Sequence, residues 1–341
     1  MMATPLAIHR VGLLTAVGAS AGASCAAMRA KVSNPSPTRF MDATGEWILA
    51  HRVEMPDTLR GLDRLSAMAA SVMTEVLEGV APSDRAVMPL LLCVAEKERA
   101  GRQEGLDTAL LAHVQQALGC TFSADSSVIA QGRVSVAVAL VLARKLIEAA
   151  RAQRVLIVAT DSLLSWATLS HYDRVGRLLT PENSNGFMAG EGAGALLVGP
   201  ASGGAQLLCT GLGFAIEQAT IDSDMPLRAD GLSAAIKDAA NEAALTVRDF
   251  DYRIADLSGE QYYFKEAALA LQRTLHQPKA EFDLWHPAEC TGEAGALAGA
   301  AIIAMAEAAA RKGYAKGPNV LAHLSNDAGP RAALALQYRR A

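Results

Sequence analysis

The most regular stretch of the chain is a long helical pattern that runs into an apolar strand. Val134 to Ala152 has helical periodicity and is rich in Ala and Leu. It leads into Arg154-Val155-Leu156-Ile157-Val158-Ala159-Thr160-Asp161, a β-branched run of the kind buried on both faces in parallel sheets. Upstream, Ala7 to Thr15 reads as a strand, Ser20 to Ala30 as a helix, Arg64 to Leu77 as a helix, Val87 to Glu96 as a buried strand and Leu106 to Leu118 as a helix. Asn34 to Thr44 holds Pro35, Pro37 and a polar cluster, which predicts a loop. Downstream, Gly186, Gly190, Glu191, Gly192 and Gly194 mark a glycine-dense turn that feeds a short buried strand, Ala193 to Val198.

A weaker copy of this order follows. Gly292-Glu293-Ala294-Gly295-Ala296 opens a helix from Ala298 to Arg311, and strands at Asn319 to Leu324 and Ala332 to Leu336 complete it. Alternating strands and helices predict an α/β fold. The repeated order predicts two similar halves, 1–200 and 201–341, with a linker-like joint at Gly199 to Gly204.

Composition narrows the function classes. Hydrophobic residues are 51% and aromatics only 5%, so Ala, Leu and Val must fill the core of this 341-residue chain. A net charge of -4 gives no electrostatic case for nucleic acid or an anionic membrane. The five cysteines (Cys25, Cys93, Cys120, Cys209, Cys290) and seven histidines are dispersed, without zinc-ligand spacing, so no metal or other cofactor is expected and a reducing cytoplasm is. The apolar N-terminal stretch, Val11 to Met28, is broken by Gly12, Gly18 and Gly22 and lacks a basic leader, and no membrane-spanning run is present. Gly190-Glu191-Gly192-Ala193-Gly194 contains GxGxG, but a loop precedes it and a strand follows, the reverse of a dinucleotide-binding fingerprint.

Asn185 to Gly199 (NGFMAGEGAGALLVG) closely resembles the DGF-x-x-GEGAG signature of β-ketoacyl synthases, members of the thiolase superfamily. Arg10 to Gly18 looks like that family's opening strand and glycine turn, and Val247 to Ala255 like the stretch before its first catalytic histidine. Ala294 to Ile303 is similar to the helix after the second histidine, and Asn319 to Leu336 to the terminal hairpin. The resemblance implies a thiolase-like fold, two similar βαβ halves in α-β-α-β-α layers, and edge-to-edge pairing of two chains.

The family's chemistry needs a cysteine thiolate at a helix N-terminus, two neutral hydrogen-bonding side chains and an oxyanion hole. There is no cysteine from Thr121 to Leu208, and the nucleophile position falls on Arg133 or Val134. Ser135 is the one hydroxyl just inside the helix, read as a core or solvated serine, and Cys120 lies upstream of the preceding strand. The first histidine falls on Asp256. The second, in a Thr-Gly-His pattern, is Glu293 in Thr291-Gly292-Glu293, and the family lysine falls on Ala288. His286 is a displaced substitute at best, a loop histidine beside a proline. The GFGG oxyanion loop is replaced by Ser325-Asn326-Asp327-Ala328-Gly329-Pro330.

These losses predict a catalytically degenerate synthase-like protein. It would act as a structural or regulatory partner: a homodimer, a heterodimer with a related active subunit, or an adaptor or chaperone. Acyl carrier protein and an effector protein are candidate partners. Fatty acid or polyketide biosynthesis is the implied setting. Two alternatives remain: a condensing acyltransferase with a displaced nucleophile, and an enzyme with new chemistry built from Arg133, Asp256 and Glu293.

Overall fold

The protein is described by a computed structural model covering residues 4–340. The first half runs β1 (Leu6–Leu14), α1 (Ala21–Arg29), β2 (Ser36–Met41), β3 (Trp47–His51), α2 (Gly61–Val76), α3 (Pro82–Ala86), β4 (Leu90–Val94) and α4 (Leu110–Leu118). It continues through β5 (Ser127–Ala130), α5 (Ser135–Glu148), β6 (Val155–Ser162), α6 (Trp166–Arg174) and β7 (Ala189–Pro200). The second half runs β8 (Gln206–Ile216), α7 (Asp230–Glu242), β9 (Tyr252–Ala255), α8 (Gln261–Thr274), β10 (Leu284–Trp285), α9 (Ala288–Thr291), α10 (Leu297–Arg311), β11 (Asn319–Ser325) and β12 (Pro330–Arg339).

The strands are ordered β10-β9-β11-β12-β8-β1-β7-β6-β4-β5. The path reads the same outward from its centre: β8-β12-β11-β9-β10 on one side repeats β1-β7-β6-β4-β5 on the other. A short antiparallel contact of Leu6–Ile8 with Leu207–Cys209 joins the two sides.

Strand alternation builds the layers. On β4, Leu91 and Cys93 face one core while Leu90, Leu92 and Val94 face another. The first core also receives Tyr252, Ile254, Val320 and Ala322 from the other side of the path, with α5 and α10 packed between. Helix α2 covers the second core, and α7 covers a third, over Leu321, Ala333 and Ala335. The order is therefore helix, sheet, helix, sheet, helix. The small residues fit the middle layer, since a Cβ on Gly299 of α10 would lie 2.7 Å from the Val136 Cβ of α5.

Two expectations are corrected. The region 34–44, read as a loop, contains β2, which pairs with β3 as a hairpin. Pro37 is tolerated there because β2 is an edge strand. The glycine run, read as a turn from Gly186 to Gly194, already belongs to β7 from Ala189, with Asp161 opposite Gly192 and Ser162 opposite Glu191. These glycines serve close approach: a Cβ on Gly190 would sit 2.2 Å from the Thr291 carbonyl oxygen, and one on Gly192 2.5 Å from that of Leu14. Gly186, before the strand, is crowded by the Leu178 backbone in the same way. No helix among the described residues is long and apolar enough to cross a membrane.

Candidate active site

The link between β5 and α5 sets the site. Gly132 takes a left-handed φ of 53°, and a Cβ there would meet the Glu96 carboxylate at 2.1 Å. That turn sends the buried Arg133 side chain inward, while Val134 turns into the core. Ser135 begins α5 and is fully buried; its Oγ accepts from the Gln131 N–H at 3.1 Å and lies 3.2 Å from the Ile129 carbonyl. Those partners make Ser135 a backbone tie of the turn.

Arg133 is surrounded by acids. Its guanidinium donates to Glu293 at 3.2 Å and to the Tyr263 hydroxyl at 2.9 Å, and pairs with Asp327. Its Nε lies 3.9 Å from Asp256, beyond hydrogen-bond reach. The Tyr263 ring also lies 4.7 Å below the guanidinium carbon, and its hydroxyl bonds Asp327. Two more arginines, the partly buried Arg177 and the buried Arg99, extend the network. Arg177 forks onto Glu260 at 2.7 and 2.9 Å and reaches Asp327 at 2.7 Å. Arg99 holds Glu96 at 2.6 Å and Asp161 at 2.7 Å.

Three arginines thus face six carboxylates, and the electrostatics reflect the imbalance. Burial alone would raise Asp327, but Arg133 and Arg177 outweigh it and hold the carboxyl well below the ordinary range. Burial pushes Asp256 up to about 7, against the pull of Arg133 and of the Ser325 N–H that donates to it at 2.8 Å. Burial likewise raises Glu260 despite Arg177. Glu293 is fixed at both ends: Gly295 N–H donates to its carboxylate at 2.9 Å, and its backbone bonds Gly190 and Met188 at 2.8 Å each. The glycine run of β7 therefore makes room for the segment that carries Glu293.

The network leaves little space. Cavities of about 10 Å³ beside Arg133 and about 20 Å³ beside Asp256 and Glu293 hold no more than a water molecule each. The proposed displaced groups lie elsewhere. His286 pairs with Glu289 at 3.1 Å and packs on Phe264. No cysteine joins the network; burial pushes Cys25 and Cys209 up to about 12 and raises Cys93 as well. The 325–330 segment forms the tight β11–β12 turn, closed by Asn326 N–H to the Pro330 carbonyl at 2.9 Å, and delivers Asp327 to the site.

Sequence reading placed Arg133, Asp256 and Glu293 but missed Tyr263, Arg177 and Glu260, whose partners are remote in the chain, and the Glu96–Arg99 pair, only three residues apart. It also read Glu191 as part of a turn. Glu191 is buried in β7, where it accepts from Arg64 at 2.6 and 2.9 Å, from Val53 N–H at 3.1 Å and from Ser162 at 2.9 Å. It ties α2 and the strand hairpin to the sheet.

No family model and no curated protein sequence matches the chain. Solved structures do match along its length. A type II polyketide acyl carrier protein in complex with its ketosynthase superposes with a TM-score of 0.80 at 15% identity, covering 98% of this chain and 99% of that one. The chain has the thiolase-like ketosynthase fold. A ketosynthase in complex with its chain length factor from Xenorhabdus doucetiae gives 0.78 at 12% identity, covering 98% of each chain. The ishigamide ketosynthase/chain length factor gives 0.76 at 17% identity, covering 98% of this chain and 99% of that one. On that ketosynthase fold, the region around Arg133 is a closed ion network.

Proposed function

We infer that this protein is a catalytically degenerate ketosynthase-like subunit that works by pairing with a related, active condensing subunit. The observation that carries the reading is Arg133, held by Glu293, Asp327 and Tyr263 at the start of α5, with a cavity of about 10 Å³ beside it. A thioester has no room to enter and no thiolate to attack it. Several similar structures are complexes of a ketosynthase with a chain length factor or an acyl carrier protein, which supports a heterodimer and a carrier-protein partner in polyketide assembly.

Pairing would use β5, which ends the sheet path and, among the described residues, is bonded only to β4, leaving its other edge open. We take residues 1–200 and 201–341 as the two halves of this subunit. Five unpaired cysteines suit a reducing, cytoplasmic setting.

The test is co-expression with the ketosynthase of the same organism. A stoichiometric complex by size exclusion, and no acyl adduct on this chain by intact-mass spectrometry after incubation with acyl carrier protein thioesters, are expected. An acylated chain, or a monomer that never joins a ketosynthase, overturns the reading.

A further inference from the structure

An opening distinct from the small cavities beside Arg133 borders the network at Arg99. It is a cleft of about 760 Å³ between the β2–β3 hairpin, the start of α2, the β4–α4 loop and the start of α6, a volume suited to a small molecule. The Arg99–Asp161 pair forms the wall between the two regions.

The charge on this cleft is opposite to that of the chain. Six arginines line it against Asp57, Asp161 and Glu191. Four are engaged: Arg64 by Glu191, Arg99 by Asp161, Arg52 by Asp57 and Arg102 by Asp107. Arg39 and Arg60 are exposed and, among the described residues, have no carboxylate partner. Arg60 also occupies the N-cap of the 16-residue α2, where no side chain caps the helix, so its first N–H groups add to the positive end.

The same cleft carries an aromatic platform. Trp166 is 55% exposed and lies 5.7 Å from Phe40, whose ring has the Arg39 guanidinium 5.2 Å away. An open indole beside two guanidinium groups not paired with a carboxylate among the described residues offers stacking for a planar ring and charge for a dianion in one opening. We propose that the cleft binds a nucleoside phosphate, with the phosphate at Arg39, Arg60 and the start of α2 and the base on Phe40 and Trp166. The site does not depend on the partner-subunit reading.

Calorimetric titration of the full chain with AMP tests the assignment, with inorganic phosphate and adenosine as the fragment probes. AMP is expected to bind, and to bind more tightly than either fragment. R39E/R60E should weaken AMP at least about tenfold, and W166A should weaken AMP several-fold while leaving phosphate unchanged. All three positions are exposed, and the milder R39Q/R60Q pair with a circular-dichroism check guards against misfolding. No heat with millimolar AMP overturns the proposal. So does an affinity unmoved by R39E/R60E and R39Q/R60Q, or AMP binding no tighter than phosphate alone.

Discussion

Replacing Asp256 by Asn separates the charge of the site from its shape. The Asn side chain keeps an oxygen for the Ser325 N–H, which donates to Asp256 at 2.8 Å, and it fills the same space beside Arg133 and Glu293. Only the ability to ionise is lost. The folded carboxyl titrates at about 7, against an ordinary value of 3.8, because burial outweighs the attraction of Arg133 at 3.9 Å. A carboxyl with a raised folded pKa holds its proton more tightly in the native state. It therefore adds stability that is full below pH 3.8 and is lost as pH rises through 7. Between pH 5 and pH 8 about two units of that shift are titrated, or about 3 kcal/mol. Urea unfolding of both proteins at pH 5, 6, 7 and 8 reads this directly. The other titrating groups are common to both proteins and cancel in the difference to first order. D256N is expected to gain on the wild type by about 3 kcal/mol from pH 5 to pH 8. A difference constant within about 1 kcal/mol across that range means that the Asp256 carboxyl titrates at or below its ordinary value, with the Arg133 ion pair outweighing burial, and refutes the argument.

Other perturbations reach the same network. R133M strips the cation from Asp327, Glu293 and Asp256 and is expected to cost about 3–5 kcal/mol at pH 8 by denaturant unfolding, with a smaller loss at pH 5 where the orphaned carboxyls take up protons. A cost under about 1 kcal/mol would mean that the acids are solvated. G132A places a Cβ against Glu96 at a φ of 53° and should lower stability by at least about 1–3 kcal/mol, read as a drop in Tm. E266Q leaves Arg331, whose side chain is 0% exposed, without its buried anion at 2.8 Å; a loss of about 3 kcal/mol is expected, and an unchanged midpoint in urea would contradict it.

The scaffold was legible because its strands are simple. Leu90–Val94 and Val155–Ala159 are uninterrupted apolar runs buried on both faces, and α5 and α10 are small-residue helices fitted between sheets. Where the chain departs from that pattern, reading along it failed. Pro37 looked like a loop residue, although an edge strand tolerates it, and the glycines of β7 looked like a turn, although they mark where another backbone passes close. Half of the site was legible for a different reason. Arg133, Asp256 and Glu293 are the positions on which the resemblance to β-ketoacyl synthases sets that family's functional groups, so their residue types drew notice.

Of their partners, Tyr263 had no such marker, and Asp327 drew notice only as part of the 325–330 loop. Tyr263 lies 130 residues from Arg133, Asp327 lies 194 away, and Asp327 lies 150 from Arg177. No local periodicity encodes contacts of that separation. Only the folded chain shows that each buried arginine is shared among acids from different segments. That sharing also predicts that R133C alone gains no acyl-transfer activity. The substitution would remove the cation on which Asp327 and Glu293 depend, and their carboxylates would still crowd a cavity of about 10 Å³. The ion network and the small cavity beside it are one arrangement, so opening space for a thioester there requires changing the acids together with the arginine.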